Sequence, residues 1–311
     1  MRYRWSGSTI LCYILSVLSL QAGIIQCRST FRERRGVGFS RIFAFGDSYT
    51  DNGSFDGFFE SNSNEIDTAS LHPQTSNYIR RSADGPLWIE HLAEILGDVE
   101  LFDFARSGST ANNDITPRGT EDMNTQVNSY LSTSVASASK SGSAYFLWTG
   151  VNDINDLFKK YDGNIAQCIK QLDDIVSTIE DAWRKLQKSG ANYIVFLGLI
   201  PLQELPMYQE VQSNVRNNLK ELILEYNDRL RLAMDKFRSG SPNVQAFFFD
   251  TYGLFEQNFS PEEREKNARQ HCNAGESCDG YIWWDKLHPS SKTHRRIAEA
   301  VFQSMQNEGW L

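Results

Sequence analysis

One serine and one histidine of this chain have the neighbours that covalent chemistry requires. Ser48 follows an apolar run in the segment FAFGDSYTDNG, residues 43 to 53. His288 lies in WWDKLHPSSK, with Asp285 three residues upstream and Pro289 directly after it. A serine hydroxyl becomes a nucleophile when a histidine accepts its proton, and that histidine needs a carboxylate to hold its tautomer. Asp-x-x-His is common by itself, so its meaning depends on whether the fold brings Ser48 to His288.

Two other loops offer hydrogen-bond donors for the negative charge that develops on a carbonyl oxygen during acyl transfer. Gly108 lies in FARSGSTAN, where the missing side chain lets the backbone N–H approach a ligand closely. Asn152 lies in WTGVND, two residues after Gly150, and offers a side-chain amide. The neighbouring Asp153 is a candidate either to cap this turn or to hold the Asn152 amide. For the other four histidines we expect surface or structural roles: His72, His91, His271 and His294.

Five short apolar runs predict the strands that position these loops. The runs are continuous rather than alternating, which is typical of strands buried on both faces. They are RIFAF at 41 to 45, VELFDFA at 99 to 105, SAYFLWT at 143 to 149, NYIVFLGL at 192 to 199 and VQAFFFD at 244 to 250. Stretches with apolar spacing of three and four lie between and after the strands and predict helices, at 84–97, 164–188, 209–237 and 290–306. This alternation predicts an α/β fold, a parallel sheet covered by helices on both sides.

The predicted sheet places the candidate residues at one edge. Ligands of parallel sheets bind outside the carboxyl ends of the strands, and Ser48, Gly108 and Asn152 each follow a predicted strand. Residues 51 to 83 are rich in serine and asparagine and predict an extended loop over this edge. The chain contains no G-x-S-x-G segment, which excludes the nucleophile elbow of the α/β-hydrolases.

The ordered set FGDSYTD, FARSGSTAN, GVND and DKLHP resembles the four sequence blocks of the GDSL, or SGNH, hydrolase superfamily, over residues 41 to about 303. The resemblance implies a flavodoxin-like three-layer α/β/α sandwich with a five-stranded parallel sheet, and ester hydrolysis without a metal or organic cofactor. It implies that Ser48 is the nucleophile and that Asp285 and His288 complete the triad. It also implies an oxyanion hole formed by Ser48, Gly108 and Asn152.

Two residues depart from the superfamily pattern. Tyr49 stands in place of the leucine in the superfamily's name, and Ser107 stands where many relatives carry a second glycine. Neither change removes a reacting group.

The composition is that of a globular protein with an acidic surface. The chain has 311 residues, 40% of them hydrophobic, and a formal net charge of -8. This is enough apolar material for a core, and we expect residues 41–311 to form a single domain of the SGNH hydrolase fold. Nucleic-acid binding needs a basic face that this chain lacks, so the charge balance argues against a nucleic-acid partner.

The first 27 residues predict a secretory signal peptide. Two arginines precede an apolar stretch at residues 10 to 20, and small residues follow it. A membrane anchor is the alternative, but the apolar stretch is shorter than the roughly 18 to 20 residues that span a bilayer. We therefore expect cleavage between Ala22 and Cys27, a secreted, extracellular protein, and no stable membrane insertion afterwards.

The segment after the signal peptide, residues 28–40, is expected to be a disordered N-terminal segment or a short propeptide. Its run RERR, residues 32 to 35, is either a dibasic processing site or a solvated charge cluster. Two sequons make Asn52 and Asn258 candidate N-glycosylation sites. The closeness of Asn52 to Ser48 argues against occupancy there.

The cysteines agree with export. Cys272 and Cys278 enclose the polar loop CNAGESC, which indicates a local disulfide in an oxidising compartment. A metal site that includes the later His288 and His294 is the alternative, although the spacing fits no standard zinc pattern well. The partner of Cys168 stays open.

The expected substrate is a small ester or an acetylated carbohydrate. The segments around ADGPLWIEHLAEIL and WWDKLHPSSKTHRRIAEAV are similar to the branch of the superfamily that includes secreted acetylesterases of carbohydrate esterase family sixteen. Aromatic side chains near the site suit stacking on a sugar, a fatty acyl chain or simply a packed core: Phe55, Phe58, Phe59, Trp148, Trp283 and Trp284. A lipase or phospholipase is therefore the first alternative. A catalytically inactive secreted binding protein is the second, disfavoured because both Ser48 and His288 are present.

Overall fold

A five-stranded parallel sheet lies at the centre of residues 38–308, which form one compact unit. The computed structural model describes residues 38–54, 81–97, 99–137, 140–272 and 277–311. The strands are β1 (Arg41–Gly46), β2 (Glu100–Asp103), β3 (Ser143–Trp148), β4 (Tyr193–Leu197) and β5 (Gln245–Phe249). Their order in space is β2-β1-β3-β4-β5, and every neighbouring pair is parallel. The predicted flavodoxin-like fold is confirmed.

The residues of the central strands are buried on both faces of the sheet, as their continuous apolar sequences predict. All six residues of β3 are buried, as are all residues of β1 after Arg41. Phe43 of β1 stands in register with Phe102 of β2 and Tyr145 of β3, and its ring stacks on both, with ring centroids 5.0 Å apart in each pair. These stacked rings fix the register of three neighbouring strands, and with it the positions of the loops that leave their carboxyl ends.

Two groups of helices in this unit pack closely together. One group pairs the first and last helices described, and the other packs three helices of the middle of the chain. The helices are α1 (Trp88–Leu96), α2 (Met123–Leu131), α3 (Ser134–Ser137), α4 (Val151–Lys160), α5 (Ile165–Lys188), α6 (Ser213–Ser239), α7 (Thr251–Asn258), α8 (Pro261–Ala268) and α9 (Ser291–Asn307). Helix α1 packs on α9, while α5 packs on both α2 and α6.

The start of α1 differs from the sequence prediction. The apolar spacing predicts a helix from residue 84, but α1 begins at Trp88 after Leu87. The Glu90 carboxylate accepts the Leu87 N–H at 2.9 Å and closes the first turn in place of a cap. Asp84 instead accepts the N–H of Ser291, the first residue of α9, at 2.7 Å. Ser290 caps α9, and Asp84 accepts one further N–H of its first turn, a contact that only tertiary packing creates and that sequence spacing cannot show.

Several sequence predictions lie wholly or largely outside the described residues. They concern the signal peptide, most of the segment 28–40, most of the extended loop at 51–83, His72 and three aromatic residues, Phe55, Phe58 and Phe59. The boundaries given for the signal peptide, the N-terminal segment and the single domain remain predictions. Of the helices the structure describes, none combines the length and apolar character that crossing a membrane requires.

Two histidines lie in the packed contact between α1 and α9. His294 is completely buried, and neither of its ring nitrogens has a hydrogen-bond partner among the described residues. Burial lowers the pKa of His294 to about 3, and the nearby His91 and His288 act in the same direction. His91 is also buried, and its Nε2 lies 3.2 Å from Ser291 Oγ. Burial lowers the pKa of His91 as well.

These histidines make the folded state sensitive to acid. An unfolded histidine binds a proton below about pH 6.5, while folded His294 stays neutral down to about pH 3, so the free energy of unfolding falls as the pH drops through this window. The free energy of unfolding of wild type should fall between pH 7.5 and pH 5. We expect this fall to be smaller by about 2 kcal/mol in His294→Leu, which has no imidazole at this position. Urea unfolding of both proteins at the two pH values measures this difference. Parallel pH dependences of the two proteins would contradict it.

Candidate active site

Ser48 lies in a tight turn at the carboxyl end of β1. The Asp47 carbonyl accepts the N–H groups of Thr50 and Asp51, both at 2.9 Å, and the Asp47 carboxylate accepts the Tyr49 N–H at 3.0 Å. The turn is thus closed from both the backbone and the side chain of Asp47. Ser48 is 8% exposed, so its hydroxyl reaches only a small opening at the edge of the sheet.

His288 and Asp285 lie in one short turn before α9, next to Ser48. His288 Nε2 is 2.9 Å from Ser48 Oγ, and His288 Nδ1 is 2.8 Å from Asp285 Oδ2. The other carboxylate oxygen, Oδ1, accepts the N–H groups of Leu287 and His288, both at 2.7 Å. Because an ionised Asp285 can only accept, Nδ1 carries the proton and Nε2 is left to accept from the Ser48 hydroxyl. The fold therefore brings the three residues of the predicted triad into one hydrogen-bonded chain.

The charge of Asp285 suits this arrangement. Partial burial acts to raise its pKa, but the hydrogen bond from His288 and those from the backbone N–H groups outweigh burial, and the pKa lies below its ordinary value. Asp285 is ionised at neutral pH as a result. An ionised carboxylate at Nδ1 stabilises the imidazolium that forms when Nε2 takes a proton.

The predicted oxyanion donors lie on the loops that flank Ser48. Because β2 and β3 are the two neighbours of β1, the loop of Gly108 and the first turn of α4, with Asn152, lie on either side of the Ser48 turn. Gly108 has a φ of 85°, and neither its N–H nor that of Ser48 has a hydrogen-bond acceptor among the described residues. One N–H of the Asn152 amide donates to the Ser109 carbonyl at 2.8 Å, which leaves the second for a ligand.

Buried carboxylates fix the loops around the site. Asp103 accepts the N–H groups of Asn52 and Ala105, both at 3.0 Å. Asp153 accepts the Ala111 N–H at 3.1 Å and the Thr116 hydroxyl at 2.8 Å. Asp153 therefore holds the loop after β2 and, of the two roles considered from sequence, does not hold the Asn152 amide.

Burial raises the pKa values of these carboxyl groups. The pKa of Asp47 rises to about 7 and that of Asp153 to about 6. Burial also raises the pKa of Asp103 well above its ordinary value. Each group gives up hydration to hold backbone N–H groups in place.

Two further side chains, Gln126 and Asp51, which the sequence motifs do not predict, connect these loops. The Gln126 amide in α2 donates to the Gly46 carbonyl at 2.8 Å and to the Ser109 hydroxyl at 2.9 Å, and its oxygen accepts the Gly46 N–H. The Asp51 carboxylate accepts the Ser107 N–H at 2.7 Å, beside Gly108. No sequence signal marks Gln126, because a glutamine in a helix usually faces water, whereas Asp51 at least belongs to the quoted block FGDSYTD.

The two cysteines predicted to pair do so in the structure. Cys272 and Cys278 form a disulfide, which leaves neither sulfur for the alternative metal site. Cys168 is a buried free thiol. Within the described residues no group of three or more histidine, cysteine or acidic side chains is arranged to hold a metal ion.

The two sequons differ in their surroundings. Asn52 is 2% exposed, and its side-chain oxygen accepts the Ser54 N–H at 2.9 Å, so a glycan could attach only after this side chain left its place. Asn258 is exposed at the end of α7. Glycosylation at either residue remains a prediction.

The aromatic residues near the site divide between core and surface. Trp148 is completely buried and donates to the Gly198 carbonyl at 2.9 Å, and Trp283 is buried and stacks on Phe255. Both belong to the core. Trp284 is partly exposed, and the centre of its ring lies 6.4 Å from that of His288. Three of the aromatic residues proposed from sequence lie within the described residues. Of these three, Trp284 is the one that could face a substrate beside His288.

Comparisons with known proteins identify the family and the fold of this chain. The family model described as GDSL-like lipase/acylhydrolase matches residues 42–301. An acetylesterase of Hypocrea jecorina is 22% identical over 304 aligned residues, which cover 81% of this chain and 85% of that protein. A GDSL esterase/lipase of Arabidopsis thaliana is 27% identical over 52% of this chain and 51% of its own length. The crystal structure of the lipase Lip_vut3 from a goat rumen metagenome superposes with a TM-score of 0.53 at 14% identity, over 87% of this chain and 98% of that one, and shows a shared fold.

Gly150 sets the start of α4 and hence the position of Asn152. It caps the helix with a φ of 117°, a backbone conformation that disfavours residues with a side chain. A Cβ at this position would also clash with the Tyr226 hydroxyl. That hydroxyl donates to the Thr149 carbonyl at 2.9 Å and is itself held in place.

We expect Gly150→Ala to lower the free energy of unfolding by about 3 kcal/mol or more, from backbone strain and overpacking together. Gly97→Ala is the matched control, because Gly97 has a φ of 89° but nothing within 4 Å of an added Cβ. It should lose only about 1 kcal/mol, from strain alone. Urea unfolding measures both variants, and equal losses would show that the Tyr226 hydroxyl moves aside.

Proposed function

Because the chain belongs to the GDSL-like lipase/acylhydrolase family and is a carboxylic ester hydrolase, we propose that it is a secreted serine esterase that removes O-acetyl groups from carbohydrates. The observation that carries the proposal is the chain of hydrogen bonds from Ser48 through His288 to Asp285. Similarity to an acetylesterase along 85% of that relative supports the acetyl ester as substrate. The disulfide supports an oxidising compartment.

In the proposed reaction Ser48 Oγ attacks the ester carbonyl carbon while His288 Nε2 takes the hydroxyl proton. Negative charge then develops on the carbonyl oxygen, and the N–H groups of Ser48 and Gly108 and the Asn152 amide donate to it. One such donor contributes on the order of 100- to 1,000-fold in kcat. When the C–O bond breaks, His288 gives its proton to the departing alcohol, and the acetyl group remains on Ser48.

The second half of the reaction regenerates the free serine. A water molecule attacks the acetyl carbonyl as Nε2 takes one of its protons, and Nε2 then returns this proton to Ser48 Oγ as acetic acid leaves, which ionises to acetate in water. Asp285 stays ionised throughout and keeps the imidazole in the tautomer that both steps need. Water, the ester and the residues named supply every atom and proton, so the reaction as proposed requires no cofactor.

The surface beside His288 supports a carbohydrate as the alcohol part of the ester. Trp284 presents a partly exposed aromatic ring there, and such rings stack well on sugar rings. A fatty acyl chain would also pack on this ring, which keeps a lipase as the second candidate function.

The nucleophile is tested with a fluorophosphonate probe, which reacts covalently with an activated serine. We expect wild type to take up one probe per chain and Ser48→Ala to take up none. Ser107→Ala is the matched control, since Ser107 is an exposed serine in the neighbouring loop, and it should label like wild type. Wild type that fails to label would favour the inactive binding protein instead.

The acyl group is tested with p-nitrophenyl esters of increasing chain length. We expect kcat/KM for the acetate to exceed that for the octanoate by about tenfold or more, because a site shaped for acetyl excludes longer chains. Acetylated xylo-oligosaccharides and phosphatidylcholine then serve as a second pair of substrates. A maximum at eight carbons or more, with release of fatty acid from the phospholipid, would overturn the carbohydrate proposal in favour of a lipase.

A further inference from the structure

Tyr49, the residue after Ser48, connects the Ser48 turn to the turn that carries His288. Its hydroxyl donates to the Leu287 carbonyl at 2.8 Å, across 238 positions of sequence. Leu287 directly precedes His288. Among the described residues, the turn at 47–51 and the turn at 285–288 share only this hydrogen bond and the one between Ser48 and His288.

The Tyr49 bond holds a turn that is already closed on its other side. Asp285 Oδ1 accepts the N–H groups of Leu287 and His288, so the Leu287 peptide has its N–H bound to Asp285 and its carbonyl bound to Tyr49. The Asp285 bonds lie within the turn and fix only its internal shape. A bond from the Met207 N–H to the Lys286 carbonyl, at 3.1 Å, connects the turn to a segment outside the Ser48 turn. The Tyr49 bond is the one that fixes the position of the turn relative to Ser48.

The Tyr49 ring has little freedom to move. It is completely buried and packs edge-on against Trp148, with ring centroids 5.1 Å apart, and against His288, at 5.8 Å. Burial raises the pKa of the phenol well above its ordinary value, and the nearby Asp47 and Asp285 add to the shift. The hydroxyl consequently stays protonated and remains a donor at neutral pH.

The Tyr49–Leu287 hydrogen bond is kept in the acyl-enzyme, whereas the Ser48–His288 hydrogen bond is lost. Once Ser48 Oγ carries an acyl group it has no proton to donate to Nε2, so that link between the two turns is lost. The Tyr49–Leu287 bond involves no reacting atom and is retained. It is then the remaining hydrogen bond between the two turns among the described residues, at the stage when His288 must align a water molecule.

We propose that Tyr49 is a positioning residue for the reaction, which holds His288 at the correct distance from Ser48 in the free enzyme and in the acyl-enzyme. The inference rests on the proposed function, because it assigns Ser48 and His288 their roles in ester hydrolysis. The leucine that names the superfamily could fill the same apolar space but could not donate the hydrogen bond. Tyrosine at this position thus adds a donor that bonds to the His288 turn and involves no reacting atom.

The test compares Tyr49→Phe with Tyr145→Phe. Both rings are completely buried and each hydroxyl takes part in a hydrogen bond, but the Tyr145 hydroxyl bonds to Tyr130, inside the core. We expect Tyr49→Phe to lower kcat for p-nitrophenyl acetate about tenfold with KM within about twofold, since the lost bond misplaces His288 rather than the substrate. The rate of fluorophosphonate labelling should fall similarly, while the final amount of label per chain stays at the wild-type level. Tyr145→Phe should match wild type in rate and in amount.

Three outcomes would overturn the inference. They are a wild-type labelling rate in Tyr49→Phe, an equal loss of rate in Tyr145→Phe, or a reduced final amount of label, which would reveal partial unfolding instead of misplacement. Tyr49→Leu, which also lacks the donor, provides a second variant with the same expected slowing. Failure of the proposed function is recognised separately, because wild type would then not label, or Ser48→Ala would still label.

Discussion

The contact between the Ser48 hydroxyl and His288 Nε2 joins two turns 240 positions apart in sequence. The hydrogen bonds around the site hold the two partners of this contact in place. A 2.9 Å hydrogen bond tolerates little error, since a displacement of about 1 Å between reacting groups costs on the order of 100-fold in rate. The Asp47 turn fixes one partner, Asp285 orients the other, and Tyr49 connects the two turns. The sheet makes this convergence feasible, because parallel strands deliver successive loops to one edge.

The loops at this edge are held largely by polar groups that have left water. Asp47, Asp103 and Asp153 are buried, and each accepts backbone N–H groups from a loop that borders the site. The raised pKa values of these carboxyl groups record the cost of their burial. Apolar packing could hold the same loops, but it tolerates sliding, whereas a hydrogen bond specifies both distance and direction. The site is thus ordered before any substrate arrives.

Sequence reasoning succeeded where one residue or one local pattern determines the answer. Continuous apolar runs predict buried strands, and the spacing of three residues between Asp285 and His288 indicates the hydrogen bond that the structure shows between them. It failed where a partner lies far along the chain. Asp84 has the chemistry of a cap, but only the fold shows that it accepts an N–H from the first turn of α9. Gln126 and Tyr49 look like ordinary helix and turn residues, and their roles appear only once β1, α2 and the His288 turn are adjacent.

The placement of Asp285 and His288 within four consecutive residues has an evolutionary consequence. The carboxylate, the imidazole and the two N–H bonds that align them all come from residues 285–288. Insertions or deletions in the connecting segment between β5 and Asp285 leave the spacing of acid and base untouched. In a triad spread over three loops, each length change must be compensated elsewhere. A chain built this way can therefore remodel the part of that connecting segment before Ile282 while inheriting its proton-transfer unit intact, because residues 282–284 are bonded to residues 288–290.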